Sequence, residues 1–362
     1  MMRLCPWNYA GIAARFVLPG LIAAGAAAQT PQPNTPGQPV PETDPHSITI
    51  NVSVTDKAGE HIRGLSAGDF TLFDNKQPVK LTGFRALDSK ASPADPVHIV
   101  IVVDMINTGF DAVAREHVEL EQFLKEDGGR LAHPTSIAIF SDSGIKVEQG
   151  STSDGAALLA VLNKQGPELR IVGRNTGFYG AAERLEMSLN QLAQLSAFEA
   201  KQPGKKMILF ISPGWPIFAR AGDESDLKQR TWVFNTLVRL TNGLREANIT
   251  IYTLDPFDLG RTDPFYYQAF LKPVQAVKNA EYPNLALQVL SEHSGGKVLI
   301  QGRDITGELN TAVRDANASY ELTFAAAPGD RADEYHALQV QVDKPEAVVH
   351  TSAGYYAHTM EH

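Results

Sequence analysis

Hydrophobic and polar positions change rhythm three times along the chain. From Ser47 they alternate: Ile48, Ile50, Val52 and Val54 are separated by Thr49, Asn51 and Ser53. A period of two predicts a half-buried strand. Asp56-Lys57-Ala58-Gly59 reads as a turn, Phe70–Phe73 as a second strand, Asp74-Asn75-Lys76 as a second turn, and Val79–Phe84 as a third strand. The pattern predicts a small all-β unit over residues 47–92.

The rhythm then becomes continuous. Val97–Val103 is apolar except for His98, which suits a strand covered on both faces in a parallel sheet. A helix is predicted from about Asp111, with Val113, His117, Leu120 and Leu124 on one stripe and Gly128-Gly129 as its stop. Strands follow at Ser136–Phe140 and Ile145–Val147, then a short helix capped by Asp154. A long helix over Gly180–Ala200 carries Leu185, Leu189, Leu192 and Leu195. Met207–Ile211, Ile249–Leu254 and Val298–Ile300 read as further strands, and Trp232–Ala247, Asn284–His293 and Ile305–Ala316 as helices. Apolar strands alternating with amphipathic helices predict an α/β fold with a doubly wound, mostly parallel sheet over residues 96–317. Alternation returns at Tyr320-Leu322-Phe324 and Leu338-Val340-Val342, so residues 318–358 read as C-terminal β strands. The β–α/β–β order suggests that head and tail strands meet in a small β-sandwich with the α/β part inserted between them.

The N-terminus has another character. Arg3 and Arg15 are the only charges before Glu42, and Phe16–Ala28 is apolar and ends in small residues. That arrangement predicts a secretory signal peptide over residues 1–28, cleaved near Ala28. At 13 residues the run is shorter than the roughly 20 a spanning helix needs. A Pro-rich linker follows over residues 29–46. The mature chain is expected to be secreted or periplasmic and to have no transmembrane segment.

Composition sharpens this picture. The 362 residues include 32 bases, 41 acids and one cysteine, for a formal charge of −9. Cleavage would remove Cys5 and two arginines, leaving 30 bases against 41 acids, a charge of −11 and no thiol. An acidic chain argues against a nucleic-acid partner. Absence of thiols excludes a cysteine nucleophile or a disulfide framework in the mature protein. No phosphate loop, dinucleotide fingerprint, nucleophile elbow or zinc-protease motif occurs, and the ten histidines show no metal-ligand spacing.

Doubly wound sheets bind ligands where strands end. The strand ends here give Asp104-Met105-Ile106-Asn107-Thr108, the helix-leading loop Arg174–Gly180, Ser212-Pro213-Gly214-Trp215, and Asp255-Pro256-Phe257-Asp258. With these residues the chain resembles the von Willebrand factor type A domain, and more closely the secreted VWFA-related proteins of acidobacteria. Val52–Lys57, Gly64-Leu65, Asp69-Phe70, Asp74–Lys76 and Phe84 resemble that family's leading β unit, and Tyr335-His336 through Gly354–Ala357 its closing strands. The resemblance implies a metal-ion-dependent adhesion site. Asp104, Thr108 and Thr176 match its ligand positions. Ile106 and Pro213 stand where the pattern has a serine and an aspartate, while Asn107 and Ser212 offer oxygens one position away. Mg²⁺ wants near-octahedral oxygen ligands and charge compensation. One carboxylate and two hydroxyls therefore imply a degenerate site, with no cofactor expected and Mg²⁺ or Mn²⁺ the one candidate.

Aromatic residues crowd the same edge. The long connection Asp255–Pro283 holds Phe265, Tyr266, Tyr267 and Phe270, and Tyr179, Trp215 and Phe218 leave neighbouring strand ends. Aromatic residues are typical interface anchors. With Asn107 they form the expected contact face for a protein or envelope partner. Three functions are compatible with the sequence: a non-enzymatic binding module, a hydrolase assembled from scattered Asp, Ser and His residues, and a structural module of an envelope assembly. The first accounts for most of these features.

Overall fold

The computed structural model describes residues 47–88, 97–148, 150–165, 177–216, 226–255, 265–300, 304–327 and 329–357. The signal-peptide and linker segments, Thr176 and Phe218 lie outside them.

The head supplies β1 (Ser47–Thr55), β2 (Phe70–Asp74), β3 (Gln77–Val79) and β4 (Leu81–Asp88). Then come β5 (His98–Asp104), α1 (Phe110–Lys125), β6 (Arg130–Ser141), β7 (Gly144–Val147), β8 (Thr152–Asp154), α2 (Gly155–Gln165) and α3 (Gly177–Glu199). The second half of this layer has β9 (Lys206–Ile211), α4 (Leu227–Glu246), β10 (Ile249–Leu254), α5 (Leu287–His293), β11 (Val298–Leu299) and α6 (Ile305–Ala316). The tail adds β12 (Ala318–Ala325), β13 (Glu334–Val342), β14 (Val348–Thr351) and β15 (Gly354–Ala357).

The central sheet runs β11-β10-β9-β5-β6-β7, with β8 also on β6. The four pairings from β11 through β6 are parallel, and β7 and β8 pair antiparallel to β6. This mixed α/β arrangement is consistent with a type A-like fold. Both faces of β5 are buried, which explains its unbroken apolar run. Val100 and Val102 pack with Phe140, Phe210 and the leucines of α3 and α4. Ile99, Ile101 and Val103 pack with Leu120 and Leu124 of α1 and Leu309 of α6. Ile101 is fully buried, so Ile101→Ala should cost about 2–5 kcal/mol.

Several predicted elements differ in extent: α4 begins at Leu227 rather than Trp232, and the strand expected over Val79–Phe84 is divided between β3 and β4. β6 begins six residues earlier than Ser136. Pro134 is tolerated there because the β6–β8 register shifts between Arg130 and Thr135, and a proline fits where the ladder is irregular. The helix expected over Asn284–His293 is cut by Ala286, at φ −59° and ψ 142°, into a 3₁₀ turn and the seven-residue α5.

Head and tail strands interleave in two four-stranded antiparallel sheets, ordered β14-β1-β12-β4 and β15-β13-β2-β3. Between them Ile48, Ile50, Val52, Val54, Leu72 and Phe324 form one core. Phe70, Phe84 and Tyr320 meet within it at centroid separations of 5.2–5.9 Å. A polar group sits in the same interior. Asp74 accepts the Tyr355 hydroxyl at 2.7 Å and lies 2.9 Å from His336 Nδ1.

The β1 sheet meets the amino end of the parallel sheet through polar contacts. Lys205 Nζ donates to Ser319 Oγ at 3.0 Å, and Asn248 Nδ2 to Glu321 Oε1 at 3.0 Å. Burial pushes the Lys205 ammonium down to about 8. Asp315 anchors a second group: Lys297 Nζ at 2.6 Å, Tyr252 hydroxyl at 2.9 Å, and His61 Nε2 at 2.9 Å.

Candidate functional site at the strand ends

Asp104 closes β5 and is fully buried. Its Oδ1 accepts the backbone N–H groups of Ile106 at 2.9 Å and Asn107 at 3.1 Å. Its Oδ2 accepts Asn107 Nδ2 at 2.8 Å and the Ser212 hydroxyl at 2.7 Å. Ser212 in turn accepts the N–H of Gly214 at 3.0 Å, and Asn107 Nδ2 also donates to Ser188 Oγ at 2.9 Å. A carboxylate has about four lone-pair sites, and here all four have a donor from the chain itself. Burial raises the Asp104 carboxyl above the ordinary carboxylate range, and these bonds oppose the rise.

Ile106 is fully buried in the core shared with α3 and α4. The position that lacks an oxygen thus serves packing. Thr108 is also buried, and its hydroxyl has no hydrogen-bond partner among the described residues. The residue that sequence reasoning missed is Glu116 on α1. It is fully buried, and neither carboxyl oxygen has a partner among the described residues. Burial, followed by the nearby charges of Asp104 and Asp255, raises its carboxyl well above the usual range. A signal did exist: Glu116 falls three residues after Val113 and four before Leu120, on the stripe that predicts the buried face. No group of three or more His, Cys, Asp or Glu side chains among the described residues could hold a metal ion.

The aromatic face needs correction. Trp215 is 2% exposed and packs edge-on against Phe210 at 6.0 Å, so it belongs to the core rather than to a contact surface. Tyr267 is buried too, beside Ala286 and Val289. Tyr266 is half-buried and donates its hydroxyl to Gln288 Oε1 at 3.1 Å, while Phe270 packs on the same small cluster. Their apolar bodies gain more from filling the space over α5 than from facing water. Tyr179, at 84% exposed, and Phe265, at 50%, are the rings turned outward.

A different constellation appears at the opposite, amino end of the sheet. Ser136 Oγ lies 3.0 Å from His98 Nε2, and His98 Nδ1 lies 3.2 Å from Glu199 Oε2. The order is that of nucleophile, base and orienting acid. Access and oxyanion geometry are another matter. Ser136 is 2% exposed and pairs with Val100 inside the sheet, while Glu199 is fully buried. The serine's strand backbone is committed to the ladder and cannot turn toward a developing oxyanion. As a chemical device the group is incomplete; under α3 it gives Ser136 and His98 their partners and leaves Glu199 Oε1 with none among the described residues.

No protein-family model matches the chain, and no curated protein matches it. Among solved structures, the human COPII-coat protein Sec24c is similar at a TM-score of 0.33 with 9% identity, covering 76% of this chain and 46% of that one. The chain therefore spans less than half the length of that neighbour. The N-terminal domain of TFIIH p34 is similar at 0.28 with 14% identity, covering 60% of this chain and 96% of that one. The likeness is coarse at these scores. Among the described residues no helix is long and apolar enough to cross a membrane.

Proposed function

We propose that the chain is an exported, non-enzymatic protein-binding module that engages a protein or envelope partner through the carboxyl edge of its parallel sheet, without a metal ion. The observation that carries the ion-free reading is the saturation of Asp104. Four donors occupy the places a cation would need, and Pro213 stands where the adhesion-site pattern has an aspartate. The residues present do not fit Mg²⁺ or Mn²⁺, which would have to displace Ser212 and Asn107 from Asp104 before binding. Glu116 contributes no ready negative charge, because its environment favours the neutral acid. In this reading the adhesion-site pattern is degenerate in its ligands, with Ile106 and Pro213 at positions where it has oxygens. Tyr179 and Phe265 supply the exposed aromatic area of the contact face.

Export rests on the basic, apolar and small-residue sequence of the first 28 positions. A hydrolase reading is motivated by Ser136, His98 and Glu199 and is disfavoured by the burial of the serine. The binding reading is tested by presenting the immobilised protein to an envelope extract. Capture should persist in EDTA and be lost in a Tyr179→Ala, Phe265→Ala double variant. Capture that needs Mg²⁺, or that ignores both rings, would overturn it.

A further inference from the structure

A crevice of about 30 Å³ lies where the β1 sheet meets the ends of α4 and α5. Its lining includes Asn51, Thr241, Arg245, Asn248, His293 and Ser294. Three polar atoms of these residues are buried with no hydrogen-bond partner among the described residues: Asn51 Oδ1, Thr241 Oγ1 and Arg245 Nε. Leaving a buried donor or acceptor unmade is costly, so a guest that satisfies several of them is favoured.

The hydrogen bonds behind the crevice fix what that guest must be. Arg85 Nε donates to Glu321 Oε2, and Glu321 Oε1 can therefore only accept from Asn248. Asn248 accordingly turns its Nδ2 toward Glu321 and its Oδ1 toward Asn51 Nδ2, at 2.9 Å. The chain of bonds ends by leaving Asn51 Oδ1 as a pure acceptor. Arg245 Nε is a pure donor, and its Nη2 is already matched by Glu246 at 3.2 Å. Thr241 precedes Arg245 by one helical turn and can play either role.

Charge excludes ions. A cation would meet Arg245. An anion would meet the lone pairs of Asn51 Oδ1 and the carbonyl end of α4, where a helix carries partial negative charge. What remains is a neutral guest that both donates and accepts. Size decides the rest: about 30 Å³ holds one or two waters at roughly 10–15 Å³ each.

We propose that this crevice is a hydration site built into the fold, in which one or two ordered waters donate to Asn51, accept from Arg245 and join Thr241, linking the β layer to α4. It involves neither the strand-end face nor its partner. A high-resolution crystal structure of the full chain should show a water within about 2.7–3.2 Å of at least two of the three atoms. Thr241→Val keeps the shape and removes the hydroxyl. It should lose or displace that water and lower the melting temperature by roughly 2–4 °C. Thr241→Ser should keep both the water and the melting temperature, which separates a lost hydroxyl from general damage to α4. Well-resolved solvent elsewhere with no water at these atoms would overturn the proposal. So would a Thr241→Val protein with its water and melting temperature unchanged.

Discussion

The two ends of the parallel sheet divide polar chemistry in opposite ways. At the amino end polar groups pair across to another layer of the same chain, Lys205 with Ser319, Asn248 with Glu321, and Asp315 with His61 and Lys297, although Glu199 Oε1, Asn51 Oδ1 and Arg245 Nε keep no partner among the described residues. At the carboxyl end Asp104 is saturated by its own loop, while Glu116 and Thr108 beside that loop keep atoms with no partner among the described residues. The amino end looks more catalytic, because it holds a serine, a histidine and an acid in hydrogen-bond order. Its polarity nevertheless serves to fasten two layers. Hydrogen-bond geometry alone does not identify a reacting site; exposure and spare backbone donors decide.

The sharpest way to break this contrast is Asp104→Ala. It strands four donors in a fully buried place, and unfolding in denaturant should show a loss of about 3–5 kcal/mol. Next in size is Asp315→Asn, expected to cost about 2–3 kcal/mol at neutral pH. The sign with pH follows from its partners. His61, Lys297 and Tyr252 hold the folded carboxyl down to about 2 against an ordinary 3.8. Its contribution is therefore complete above pH 3.8 and disappears as pH falls through about 2, whereas the variant should show no such loss in that window.

Glu116→Gln should move the other way. A carboxyl whose folded value is raised costs stability increasingly as pH climbs above its ordinary 4.5. The amide should therefore be neutral or stabilising by about 1 kcal/mol at pH 7, with a flatter stability profile between pH 4.5 and neutrality. Ser136→Ala should change stability by about 1 kcal/mol and leave background turnover of an activated ester unchanged; a drop in turnover would restore the hydrolase reading. The smallest effect is expected from millimolar Mg²⁺ or Mn²⁺. If the ion-free reading holds, neither shifts the melting temperature measurably, and a shift abolished by Asp104→Ala would reverse that reading.

Much of the architecture is legible in the chain because burial leaves a direct imprint. The unbroken run Val97–Val103 marks a strand covered on both faces, and the alternation of Ile48, Ile50, Val52 and Val54 marks one covered on a single face. What the sequence hides is partnership between distant residues. Trp215 and Tyr267 read as surface anchors because loop position suggests exposure, yet Trp215 folds back on Phe210 of the strand it leaves and Tyr267 fills a gap beside α5, which it does not neighbour in sequence. The Asp104 loop could be located from its strand, but its saturation depends on Ser212, 108 residues away. Glu116 was visible on a buried stripe and easy to pass over, since a glutamate on an exposed-looking helix normally points to water.

Interleaving of head and tail strands bears on the order in which the molecule can assemble. Thr49 and Thr323 share a hydrogen bond across 274 residues of chain. β1 has no strand partner among the described residues until β12 and β14 exist. Closing so long a loop is entropically dear in time more than in free energy, because cost grows only with the logarithm of length. The parallel sheet, whose strands are nearer neighbours, can collapse first and bring the two ends together. During synthesis β1 is thus made early and among the last to find its place, and a chain stopped before residue 318 would carry Ile48, Ile50, Val52 and Val54 without the tail residues Tyr320, Leu322, Phe324, Leu338 and Val340 that complete their core.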